Sequence, residues 1–423
     1  MTFFRPQYST LSSRLLELPT QMIVIAGPRQ IGKSFMVRQA LEGRQKSFVA
    51  VDNPDLDQDF LSPQMRADTS EAKVAYIPGA LPTAEWLVQK WNDARVQAMK
   101  MRLQNGSASP YVLAIDEIQK IPRWSEIVKG LWDADRAVNL NMHVVLLGSS
   151  PWLMQQGLTE SLAGRYELLN MSHWSYQEMR EAFNFSLDEY IYFGGYPGSA
   201  QLIREEARWR DYVRGALIQP NIEKDILQMT RVDKPALLKS MFELGCTYSG
   251  QIISYTKLVG QLQDAGNTVT LADYLHLLSR AGLLTGLFKY SEVAHRQRSS
   301  SPKLNVLNTA LMSAIAGYTF EEALADRTYW GRLVESVVGA HLCNTAEDNC
   351  KVQYWREGNN EVDFVLNDGK NICAIEVKSG AGYAHPKGLD VFAQKFPKTR
   401  KLIVGDHDVS LSEVLSAPAN SWL

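Results

Sequence analysis

The 423-residue sequence has little that could staple or anchor it from outside. Its four cysteines, Cys246, Cys343, Cys350 and Cys373, form no C-x-x-C pair, which argues against a zinc site or a disulfide framework. Each reads as a small buried apolar residue. No apolar run approaches the roughly eighteen residues of a membrane span. The opening MTFFRPQYSTLSSRLLELPT has neither the apolar core nor the small-residue cleavage site of a secretory signal, so a cytoplasmic protein without membrane contact is expected. Net charge is scarce too: 44 basic against 46 acidic residues give −2 at pH 7. No global field draws the chain to nucleic acid, and DNA contact needs a local patch.

What is present is an ordinary globular composition, 45% hydrophobic and 21% charged, over a length that exceeds a single core. In the first half, short β-branched runs (MIVIAG, SFVAVD, YVLAID, HVVLLGSS) alternate with helical stretches such as 34–41 and 84–102. That alternation predicts an α/β fold, a parallel sheet with helices on both faces. From about residue 225 the pattern becomes helix, Gly/Asn turn, helix, strand, the order of a winged helix-turn-helix, with 268–281 as its recognition helix. The last hundred residues predict a small αβββαβ unit. The expected domains are a parallel α/β core at 1–180, a helical lid or connector at 181–224, a winged helix at 225–303 and the αβββαβ domain at 304–423.

GPRQIGKS, Gly27 to Ser34, fits G-x-x-x-x-G-K-[ST] between a strand and a helix, the context a phosphate-binding loop requires. Gly27, Pro28, Arg29, Gln30, Ile31 and Gly32 supply backbone N–H groups around the phosphates of ATP, Lys33 reaches the terminal oxygens, and Ser34 holds Mg²⁺. In YVLAIDEIQ, four apolar residues carry Asp116 to the carboxyl edge of a strand, with Glu117 beside it. Asp116 is expected to hold Mg²⁺ through water, and Glu117 to be the general base. The plainer reading of this Asp-Glu pair is a helix N-cap followed by a favourable first-turn acid.

GPRQIGKS, AIDEIQKIPRW, LLGSSPWL, ESLAGRYELLNMSHWSYQEM and FGGYPGSA together resemble a large prokaryotic family of AAA-type P-loop ATPases whose C-terminal region was long labelled a domain of unknown function. Phe35 stands where that family more often has a second hydroxyl residue; Ser34 keeps the metal-binding role. The resemblance implies that Ser149 senses the terminal phosphate. It also implies that Arg165 is an arginine finger, which in trans would require a homo-oligomer. The plainer reading of Arg165 is a cation closing a helix after Gly164.

Near the other end, Asp368-Gly369 signals a two-residue hairpin turn, which would pair Asn367 with Lys370, Glu361 with Glu376 and Asp363 with Ala374. Alternation then places Glu361, Asp363, Glu376 and Lys378 on one face, where the carboxylates favour Mg²⁺, or Mn²⁺, as an ion with oxygen ligands. The arrangement resembles the PD-(D/E)xK nuclease fold. That resemblance implies Asp363 and Glu376 as metal ligands, Lys378 as the catalytic lysine, and Glu335 as the acid of the first helix. The alternative is a salt-bridged face on a scaffold that only binds. The basic stretch Lys289, Arg296, Arg298 and Lys303 suits a DNA backbone better than the recognition helix does, and winged domains also serve as protein contacts. Two readings follow: an ATPase coupled to a DNA-directed, metal-dependent nuclease, or an ATPase switch with a silent binding platform.

Overall fold

The computed structural model describes residues 3–52, 82–105, 110–149, 154, 157–158, 161–226, 232–262, 267–292, 300–380, 386–405 and 408–423. They divide into two compact units, residues 1–171 and 172–423.

In the first unit the apolar runs become β1 (Met22–Ala26), β2 (Lys46–Ala50), β3 (Tyr111–Asp116), β4 (Met142–Gly148) and β5 (Tyr166–Asn170). All pair parallel, in the order β2-β3-β4-β1-β5. β1, β3 and β4 are buried at every residue. Strands covered on both faces need such continuous apolar runs. β5 extends the expected sheet by one strand; its sequence, YELLN, is half polar because it forms an edge and is only partly covered. The helices Ala84–Asn105 and Trp124–Ala137 bring Trp91, Trp124 and Trp132 into the core beside β3 and β4. The indole of Trp91 donates to Asp135, 2.7 Å away, so its one polar atom is satisfied in the interior.

The second unit holds together the segments expected as lid, winged helix and αβββαβ domain. Helices Pro235–Thr247, Tyr255–Gln261 and Thr268–Arg280 precede β6 (Leu284–Leu287) and β7 (Lys303–Val306), which pair antiparallel. The expected boundary at 303/304 therefore falls inside a strand. Arg296 and Arg298 lie outside the described residues. Lys303, expected on a basic surface, is fully buried, because β7 carries it inward with Leu304, Asn305 and Val306.

After helix Arg327–Thr345 come β8 (Lys351–Glu357), β9 (Asn360–Asn367), β10 (Ile372–Val377), helix Lys387–Lys395 and β11 (Thr399–Val404). Their sheet has the order β11-β10-β9-β8, with β10 and β11 parallel. The register differs from the expected one: Asn367 pairs with Ile372 and Val365 with Ala374. Residues 368–371 form a wider turn in which Asp368 accepts from the backbone N–H groups of Lys370 and Asn371. The shift is by two residues, so the parity of the side chains survives.

Candidate functional site

The strand–loop–helix order sets β1 against helix Lys33–Ala40, with the loop between them at the carboxyl edge of the sheet. Gly32 takes φ 87° at the helix start, a backbone region that side chains disfavour. Lys33 is buried and folds back into the loop, its Nζ donating to the carbonyls of Gly27 at 3.0 Å and Pro28 at 2.7 Å. Ser34 Oγ donates to Asp116 Oδ2 across 2.5 Å. Burial pushes the Asp116 carboxyl above its ordinary range, with Glu117 and Asp52 adding to the effect and the Ser34 hydrogen bond and Lys33 opposing it. A hydroxyl and a carboxylate side by side are a donor set that fits Mg²⁺.

Because β4 lies between β1 and β3, Ser149 at its end comes beside Glu117. Ser149 Oγ donates to Glu117 Oε2 at 2.9 Å, and Gln119 Nε2 donates to the same oxygen at 2.6 Å. Lys120 Nζ lies 3.6 Å from it. Lys33, Ser34, Asp116, Glu117 and Ser149 are thus brought to one edge. Gln119 is an addition that the sequence reading did not single out, although it sits in the quoted AIDEIQ.

Arg165 lies elsewhere. Tyr166 pairs with Met22, the first residue of β1, so Arg165 is at the amino edge of the sheet and the phosphate loop is at the carboxyl edge. Its guanidinium grips Asp133 through two bonds, of 2.8 and 3.0 Å, and also donates to the Ala163 carbonyl.

In the second unit, the observed β9–β10 pairing ends at Phe364 opposite Ile375, so that Asp363 and Glu376 are the next residues on the two strands, in place of the expected pairing of Glu361 with Glu376. Asp363 Oδ2 accepts from the Val377 N–H at 2.8 Å. Lys378 Nζ donates to Glu376 Oε1 at 2.7 Å. Glu335 comes from helix Arg327–Thr345. Lys303 Nζ stands among these acids, 2.5 Å from Glu335, 3.4 Å from Asp363 Oδ1 and 4.0 Å from Glu361.

Burial disfavours the charge on Lys303, yet Asp363, Glu335 and Glu361 outweigh it and hold the ammonium above the usual lysine range. Burial, reinforced by Asp363 in each case, pushes Glu335 up to about 7 against the pull of Lys303, and Glu376 up to about 7 against the pull of Lys378. Among the described residues, no group of three or more His, Cys, Asp or Glu side chains is arranged to hold a metal ion. Around the expected ligands, the Lys303 ammonium stands beside Glu335 and Asp363, and the Lys378 ammonium beside Glu376. The sequence reading put Lys303 on a basic surface because its partners are 32 to 60 positions away; the one signal of burial was its place at the head of the run LNVL.

Residues 19–180 match the family model described as AAA domain. Residues 184–322 and 330–419 match two models described as Domain of unknown function (DUF8612) and Domain of unknown function (DUF4143). An uncharacterized protein of Haemophilus influenzae is 22% identical over 366 residues, 84% of this chain and 81% of that protein. Among solved structures, the Walker-type ATPase PABY2304 of Pyrococcus abyssi is 15% identical with a TM-score of 0.47, over 74% of this chain and 96% of its own. The ORC1 protein of Aeropyrum pernix in complex with DNA is 11% identical with a TM-score of 0.31, over 76% and 94%. The first part of this chain is thus similar to an AAA domain over the residues that carry the phosphate-loop motif. Among the described residues, no helix is long and apolar enough to cross a membrane.

Proposed function

We propose that this chain is an ATP-hydrolysing switch whose nucleotide state governs a DNA-directed second unit that binds without cutting. The observation that carries this reading is the convergence of Lys33, Ser34, Asp116, Glu117 and Ser149 at one sheet edge. Lys33 exchanges its two loop carbonyls for phosphate oxygens. Ser34 and Asp116 are the residues that would hold Mg²⁺, which supplies positive charge to the phosphate oxygens. Glu117 orients water and takes its proton. Ser149, already bonded to Glu117, links the terminal phosphate to that base.

DNA as the partner rests on the helix, helix, helix, hairpin order of 235–306, which we read as a winged helix. The charge of its third helix offers little help. Thr268, Val269, Asp273 and His276 are exposed there, with no lysine among them, so binding through the hairpin side is the version we hold. A second reading, cleavage by the αβββαβ domain, is favoured by Asp363 accepting from Val377, the neighbour of Glu376, with Lys378 bonded to Glu376, and opposed by the ammonium of Lys303.

The test incubates the protein with linear, branched and single-stranded DNA, with Mg²⁺ or Mn²⁺ and with or without ATP, beside Lys33→Ala and Glu376→Ala. ATP turnover lost in Lys33→Ala and kept in Glu376→Ala, with DNA retained and uncut, is expected. Cleavage that disappears in Glu376→Ala gives preference to the second reading. A wild-type protein that hydrolyses no ATP sinks the proposal.

A further inference from the structure

Where the nuclease resemblance calls for a divalent ion, the chain supplies a cation of its own from a strand outside the αβββαβ unit. We propose that Lys303 is the resident cation of the Glu335–Glu361–Asp363 cluster, and that its ammonium and a divalent metal ion exclude each other from it.

The lysine is not a passing contact. Lys303 pairs with Leu287 across the hairpin and bridges to Ile252, and the residues after it in β7 are all buried, so the strand cannot slide outward without exposing them. Its three N–H bonds are accounted for by Glu335 Oε1 at 2.5 Å, the Asp363 carbonyl at 3.1 Å and Asp363 Oδ1 at 3.4 Å. The ring of Phe364, 4.9 Å from Nζ, adds a further face that favours a cation. A divalent ion on Asp363 and Glu335 would have to share oxygens with this fully buried ammonium, where water screens the repulsion only in part.

A second observation says what would happen without it. Glu376 is 9% exposed, and its Oε2 is buried with no hydrogen-bond partner. One carboxylate oxygen beside Asp363 is thus left as a ready acceptor. Taking away Lys303 should leave Asp363 and Glu376 able to take a metal ion, while the native chain is blind to it. The inference deepens the non-cutting reading of the second unit. It is measured by ion binding, so it can fail while the ATPase reading stands, and the reverse.

The experiment is a titration of Mn²⁺ into the full chain without nucleotide, with free ion followed by electron paramagnetic resonance. The Asp363→Asn variant separates this cluster from any uptake at Ser34 and Asp116. In the native chain, no saturable uptake should depend on Asp363. Lys303→Met should gain one such site, with affinity raised about tenfold or more, and lose it again when Glu376→Gln is added. Should Lys303→Met fail to fold, Lys303→Met with Glu335→Gln removes one charge of each sign and carries the same expectation. Native uptake that Asp363→Asn abolishes overturns the proposal. So does a folded lysine-free variant that gains no site.

Discussion

Glu117 is held in the left-handed backbone region at φ 56°, a conformation that costs a non-glycine residue roughly 1 kcal/mol or more. The strain is sustained where Asp116 must face Ser34 while the next carboxylate turns toward Ser149 and Gln119. Removing either end of that contact should separate binding from turnover. Glu117→Gln is expected to keep ATP bound and to lower kcat by about 10²- to 10⁴-fold. Ser149→Ala, which leaves the base present but less well placed, should lower kcat by a smaller factor with KM nearly unchanged. A change confined to KM would remove Ser149 from this role.

The same unit contains a titrating group far from the chemistry. Burial, with Arg44 and Arg136 nearby, lowers the pKa of His143 from its ordinary 6.5, while the Glu17 carbonyl 3.1 Å from Nε2 pulls the other way. The unfolded chain therefore binds more protons than the folded one between the lowered value and 6.5, and stability is lost as pH falls through that window. The difference in unfolding free energy between the native chain and His143→Gln should be flat above about pH 7 and change by up to about 1.4 kcal/mol per pH unit below 6.5. A difference that is level down to pH 5 contradicts this.

At the scale of elements, local chemistry was readable in the sequence and long-range pairing was not. The P-loop and its strands announce themselves because glycine, lysine and apolar runs act within ten residues of one another. β5 was missed because an edge strand need not be apolar on both faces. In the β9–β10 hairpin the side-chain parity was legible but the pairing was not, since Asp368 caps a wider turn than Asp-Gly usually marks. Lys303 could be placed only once β7 was seen to pair with β6.

The motif FGGYPGSA shows the converse, a pattern visible in sequence whose reason appears only in three dimensions. Gly194 ends helix Leu187–Phe193 at φ 69°, and a Cβ there would stand 2.0 Å from Asn308 Oδ1. That same oxygen accepts from the Gly195 N–H at 3.1 Å, while a Cβ on Gly195 would meet the Trp174 carbonyl oxygen at 2.1 Å. Gly195→Ala should therefore destabilise the second unit by about 1–3 kcal/mol, as overpacking against backbone does. The measurement is the denaturant midpoint of that unit, and an unchanged midpoint would show that the two segments can part cheaply.

For the whole molecule, the position of Arg165 sets a requirement on assembly. β1 runs five residues from the edge that bears Arg165 to the edge that bears the phosphate loop, a span of about 16 Å at the usual rise of an extended strand. Arg165 is also turned away, into its two bonds with Asp133. A guanidinium placed there does not serve the nucleotide of its own chain, but a second copy could present it to a neighbouring site, at the cost of a half-exposed ion pair worth little in water. If that is its task, an Arg165→Ala chain keeps a sound P-loop and a Lys33→Ala chain keeps a sound finger. Each should be nearly inactive alone. Mixed, they should recover a substantial part of the native ATP turnover, because the intact loop of one chain meets the intact arginine of the other. Specific activity of the native chain should likewise climb from nanomolar to micromolar protein and fall on dilution. Mixtures that stay as inactive as their parts, with native activity independent of concentration, would return Arg165 to the plainer role of closing the turn after Gly164 through the Ala163 carbonyl.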